Sequence, residues 1–233
     1  MTTKTGIKST RKGKYPVSTQ QDSLSFIKLL LKSDKKESPL TFVELGGEAF
    51  KTAFATSKKG KEAWDGLAAG TCLESNNRKL LFFIIDYSSL RDEEKIGEQY
   101  EVLESMLNIL KTDGPSGDGK KGCTLSKVDT VAIIVTKSDM MDTEQHVDKM
   151  ECAKEFISEN FATFKEKLIA NCQMFGINKP VGFKPYVVPF SVGKMYVGNT
   201  YEFDPTDADA LVDFISTVIA GNKTGFLGKL FGN

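Results

Sequence analysis

Thr136-Lys137-Ser138-Asp139 stands directly after five apolar residues, Val131 to Val135. An apolar run of that kind reads as a buried strand, which hands the polar cluster to the edge of a sheet. A carboxylate held there can accept two parallel hydrogen bonds, from N1–H and the exocyclic amine of guanine. Adenine cannot present two donors in that arrangement, so Asp139 would discriminate between the bases. Lys137 can lay its aliphatic stem along a base and brace the loop. Thr136 joins them at the strand end. The blander alternative is an ordinary polar turn after a strand. Two more clusters follow apolar runs in the same way: Glu44-Leu45-Gly46-Gly47-Glu48, and Ser191-Val192-Gly193-Lys194.

The elements that must position these clusters alternate between strand and helix. SLSFIKLLL (23–31) and LTFVEL (40–45) read as a hairpin joined through the polar turn SDKKESP. KLLFFII (79–85) ends at Asp86 and reads as a strand buried on both faces, as does TVAIIV (130–135). Between them Ile96, Tyr100, Leu103, Leu107 and Leu110 step by three or four, which predicts an amphipathic helix. Residues 143–175 carry Met150, Ala153, Ile157, Phe161, Phe164, Leu168, Cys172 and Phe175 on one helical face. KPYVVPFS (184–191) is a further strand, and DPTDADALVDFISTVIAG a last helix with acids in its first turn, where the helix dipole favours them. The expected fold is α/β, a three-layer, mostly parallel sheet with an antiparallel edge hairpin. Ligands of such sheets bind at the carboxyl ends of the strands, where all three clusters fall.

Composition narrows the chemistry. Lys+Arg and Asp+Glu balance at 31 each in 233 residues, so no overall basic field favours nucleic acid. The four cysteines form no C-x-x-C pair and read as reduced thiols of a cytoplasmic protein. The single histidine, His146, would have to serve any Ser-His or Cys-His device, yet no Ser or Cys lies beside it in EQHVDKM; a solvated helix position suits it better. The longest purely apolar run, Leu80 to Ile85, is too short to span a bilayer. Lys4, Lys8, Arg11, Lys12 and Lys14 lie in a stretch (1–20) with no acid and no apolar core, which reads as a basic flexible arm or a switch-like segment, not a secretory leader. The α/β domain is expected over 21–221, with a short tail (222–233) whose Phe226, Leu227, Leu230 and Phe231 could pack, fray or hook onto a partner.

The apolar strand followed by T-K-x-D resembles the guanine-recognition motif of the P-loop GTPases. The other two clusters are similar to family motifs in the family's order, and the resemblance covers roughly residues 20 to 220. LTFVELGGE resembles the strand and switch that usually read D-x-x-G. The resemblance implies that Glu44 reaches Mg2+ through water, that the Gly47 N–H contacts the terminal phosphate, and that Glu48 takes the place of a water-positioning residue. FSVGK resembles the late loop whose backbone meets the guanine carbonyl, a part that falls to Ser191, Val192 and Gly193. The likeness is greatest to bacterial GTPase-like domains of the translation-factor-related group. It implies GTP or GDP and Mg2+ as ligands, and a protein partner.

Two departures stand beside it. Glu44 is one methylene longer than the family's Asp. No G-x-x-x-x-G-K-[ST] phosphate loop precedes residue 44. Gly114 to Lys121 matches G-x-x-x-x-G-K but ends in Lys where a hydroxyl should ligate the metal, and it follows a predicted helix instead of a strand. An upstream segment, a partner chain, or loss of hydrolysis would each account for the missing loop. In the first case Thr10 or Thr19 becomes a candidate metal ligand in the first switch. The expected activity is therefore a guanine-nucleotide switch or GTP hydrolase if a phosphate loop is supplied from elsewhere. The alternatives are a non-enzymatic pseudo-GTPase scaffold or protein-interaction module, and an unrelated flavodoxin-like binding domain.

Overall fold

The structure is a computed structural model, and it describes residues 24–33, 36–45, 75, 77–111, 124–141, 148–196 and 200–220. The chain divides into two compact units, residues 47–189, and residues 1–46 with 190–233.

The first unit is built on the strands β3 (Leu80–Asp86) and β4 (Thr130–Thr136), with β5 (Tyr186–Phe190) beside β4. In chain order they follow β1 (Leu24–Ser33) and β2 (Lys36–Leu45), which belong to the other unit. The three form a parallel sheet in the order β3-β4-β5. β3 and β4 pair residue for residue from Leu80↔Thr130 to Asp86↔Thr136. Phe83 and Ile85 of β3 join Val131, Ile133 and Val135 of β4 in one core with three helices. Those helices are α1 (Glu93–Lys111), α2 (Lys149–Asn160) and α3 (Ala162–Phe175). The rings of Phe83 and Phe164 meet edge to face, 5.3 Å between centroids, a geometry that adds about 0.5–1.5 kcal/mol beyond area burial. β4 is buried from Thr130 to Val135 because strands flank it on both sides. β3 is not. Its burial alternates, and Ile84 is 64% exposed, so the expected two-sided burial of this strand does not hold. Among the described residues β4 is the only neighbour of β3.

The helical stripe of residues 143–175 keeps its buried side, but one long helix does not carry it. Phe161 (φ −129°, ψ 28°) ends α2 and opens α3. The Asn160 side chain also donates to the Phe156 carbonyl in the last turn of α2. Ala153, Ile157, Phe161, Phe164, Leu168 and Cys172 are all buried, so the apolar spacing survives the break. α3 stops at Gly176, whose left-handed φ of 71° suits a residue without Cβ.

In the second unit β1 and β2 form an antiparallel hairpin in register from Leu24↔Leu45 to Ser33↔Lys36. Most of the expected turn SDKKESP is therefore strand, and pairing tightens the hairpin to a two-residue connection. β1 and β2 make a two-stranded sheet of their own, which corrects the expectation that they edge the parallel sheet. Pro39 is tolerated because every strand of a two-stranded sheet has a free edge. Phe26, Ile27, Leu29 and Leu30 are all exposed. β6 (Gly193–Tyr196) and β7 (Thr200–Phe203) form a second hairpin, followed by α4 (Thr206–Ala220). Asp207 and Asp209 stand in the first turn of α4, as expected. No helix among the described residues is long and apolar enough to cross a membrane.

Candidate functional site

The carboxyl ends of β3 and β4 carry the most organised polar cluster of the first unit. β4 delivers Thr136, whose hydroxyl donates to the Ile85 carbonyl at 3.3 Å. Lys137 then takes a left-handed conformation (φ 59°, ψ 39°). Only glycine, and sometimes Asn or Asp, visits this region readily, so a lysine there is held by its surroundings. The reversal starts a short 3-10 turn, Ser138–Met140, closed by the Met140 N–H to the Lys137 carbonyl at 3.0 Å.

What holds Lys137 is the end of the neighbouring strand. Its ammonium donates to Asp86 Oδ2 at 2.7 Å and to Ser88 Oγ at 2.8 Å. Asp86 Oδ1 in turn accepts from the Ser88 N–H at 2.9 Å and the Ser88 hydroxyl at 2.8 Å, capping the 3-10 turn Tyr87–Arg91. The Asp86 N–H donates to Gln99 Oε1 of α1, and the buried Ser89 hydroxyl donates to the Asp86 carbonyl. Burial pushes the Asp86 carboxyl up; the hydrogen bonds from Lys137 and Ser88 outweigh it and hold the group below the usual carboxylate range.

Asp139 is different. It is half-buried on the turn, and its carboxylate has no hydrogen bond or ion pair among the described residues. One acid of the corner is thus tied up and the other is open, two residues beyond a fixed lysine. Such an arrangement can accept donors from a planar ligand at the strand ends.

Comparison with protein-family models, with curated proteins and with solved structures gives no match. The chemistry must be read from the chain itself.

The other predicted positions fall elsewhere. Ser191, Val192 and Gly193 belong to the second unit and begin its β6–β7 hairpin, where a simple loop was expected. The Ser191 hydroxyl donates to Asp207 Oδ2 at 3.0 Å, both groups buried, and the Val192 carbonyl accepts from the Asp204 N–H. Gly193 has φ 121°, and a Cβ there would strike the Glu202 carbonyl oxygen. These contacts give the three residues a structural occupation. Glu44 lies in β2 opposite Ser25. Gly47 and Glu48 lie outside the described residues, as do the 1–20 arm, Gly114 to Lys121, His146 and the 222–233 tail. Among the described residues no group of three His, Cys, Asp or Glu could hold a metal ion.

Sequence reading missed Asp86 and Ser88 as partners of the cluster. A signal was present, because D-x-S directly after an apolar run is a capping pattern. Their link to Lys137 depends on the register of two strands fifty residues apart, and no local pattern encodes that.

Proposed function

We propose that the chain is a guanine-nucleotide-binding, GTPase-like domain whose base-reading corner is Thr136 to Asp139. The observation that carries this reading is the open Asp139 carboxylate on a turn whose neighbouring lysine is already fixed. A free acid at the carboxyl edge of a parallel sheet is where such folds take ligands, and its two oxygens suit the paired donors of guanine. Lys137 supplies an apolar stem beside it. Glu44 is the proposed Mg2+ contact through water, an oxygen donor suited to a hard cation, and Gly47 and Glu48 are the proposed phosphate-side residues. Among the described residues β3 pairs with β4 alone, which fits a reading in which a further strand, carrying the phosphate loop, is supplied from elsewhere and completes a three-layer sheet.

Calorimetric titration of the intact chain with GTP, GDP and ATP tests the proposal. Binding of both guanine nucleotides at up to millimolar ligand, with ATP weaker, is the expected result. No heat from GTP or GDP at that concentration would sink it.

The exposed Phe26, Ile27, Leu29 and Leu30 favour a second reading, a non-enzymatic pseudo-GTPase that serves as a protein-interaction module. Magnesium-dependent GTP turnover by the purified chain would exclude it.

A further inference from the structure

Lys137 has a nearer acid in sequence than the one it uses. Asp139 is two residues away, yet the ammonium reaches across to the adjacent strand and donates to Asp86 and Ser88. Asp86 is itself oriented: Ser88 donates twice to one carboxylate oxygen, leaving the other for Lys137. Ser88 Oγ donates to Asp86 and accepts from Lys137, so the three groups close a ring in which each hydrogen bond constrains the next. Gln99 holds the Asp86 backbone from α1. The side-chain atoms of the ion pair remain partly exposed, 52% at Lys137 and 38% at Asp86, so the ring lies at the surface where a ligand can reach it.

We infer that Asp86 and Ser88 are positioning residues that set base specificity, by drawing the Lys137 ammonium away from Asp139 and leaving that carboxylate open to the two donors of a guanine. The inference rests on the guanine-nucleotide reading above and adds two residues to it. The tether does two things. It turns a flexible four-carbon stem into a preformed wall, so ordering it on binding is already done. It also neutralises the lysine locally, so that Asp139 does not satisfy itself with an internal ion pair. Without Asp86 the ammonium loses its acceptor, Asp139 is the nearest acid along the chain, and a base must then compete with the lysine for that carboxylate.

The test uses the intact chain, wild type against Asp86→Asn and Ser88→Ala. The second variant keeps the Asp86 acceptor and removes one arm of the tether, so it serves if the first fails to fold. Two readouts are taken. Limiting acetylation followed by mass spectrometry reports the freedom of Lys137, which should react faster in both variants. Ligand-observed NMR titrations with GDP and inosine diphosphate report specificity, because inosine lacks the exocyclic amine. The GDP preference over inosine diphosphate should fall about fivefold in Asp86→Asn and less in Ser88→Ala, the size of a partly exposed charged contact. A merely structural role would weaken both nucleotides equally and leave their ratio alone. A wild-type ratio retained in a folded variant overturns the inference while the guanine reading stands. A wild-type chain without guanine preference overturns both.

Discussion

A carboxylate and an amide differ by one pair of donors, and Asp139 is where that difference should be read out. Asp139→Asn can still accept the N1–H of a purine but now donates at the place where guanine also donates. Xanthine carries a carbonyl there instead. The variant should lose GDP affinity by roughly tenfold to a hundredfold and gain xanthosine diphosphate, in parallel titrations; equal loss of both would count against a base-reading role. Asp86 makes a separate prediction through pH. Its folded-state carboxyl is held below the ordinary range by Lys137 and Ser88 against the opposing effect of burial. A depressed folded pKa contributes stability above the unfolded value, and that stability is lost as pH falls through the folded one. Urea midpoints of wild type should therefore exceed those of Asp86→Asn by a constant margin at about pH 5–7, a margin that closes below about pH 4. The place of Asp139 on a turn after β4 was legible in the sequence because strand and turn are contiguous. Asp86 was not, because its partner comes from the register of β3 on β4.

The elements show the same division between local and non-local signals. Strand β4 and helix α1 lie where their apolar periods place them, and Leu103, Leu107 and Leu110 are buried as their spacing requires. The break at Phe161 left the apolar stripe intact, so periodicity alone could not show it. The β6–β7 hairpin escaped notice because Ser191 to Lys194 has the composition of a loop, whereas Gly193 is there for its backbone. Gly193→Ala should destabilise by more than about 1 kcal/mol, since it adds both a positive-φ penalty and a clash with the Glu202 carbonyl. Limited proteolysis within 193–203 checks this, and cleavage no faster than wild type would contradict it. Asn178 is the other concealed device. Buried at the end of the α3 turn, it accepts from the Val131 N–H and donates to the carbonyls of Val131 and Lys184. It thereby ties the start of β4 to the segment that leads into β5. Asn178→Ala leaves those groups unsatisfied and should cost about 2–3 kcal/mol in chemical denaturation.

At the scale of the whole molecule the two units differ in what holds them. The described residues of 47–189 are organised around one core of aromatic and branched side chains drawn from three strands, three helices and their connections. In the other unit the β1–β2 hairpin exposes Phe26, Ile27, Leu29 and Leu30, and a two-stranded hairpin is by itself marginal in water. Hydrogen exchange should separate them. The amides of β4 should open only with the core of their unit, while those of β1 and β2 should open locally, with free energies lower by roughly 2 kcal/mol or more. Equal protection would mean that the hairpin is coupled to a core after all. A bound nucleotide gives the same measurement a functional arm, because a ligand that binds only the folded site stabilises it by RT ln(1 + [L]/Kd). Millimolar GDP should slow exchange in the turns Tyr87–Arg91 and Ser138–Met140, which flank the open Asp139 carboxylate. Slowing that is uniform along the chain would point to general stabilisation; slowing confined to these two turns would locate the base at the ends of β3 and β4.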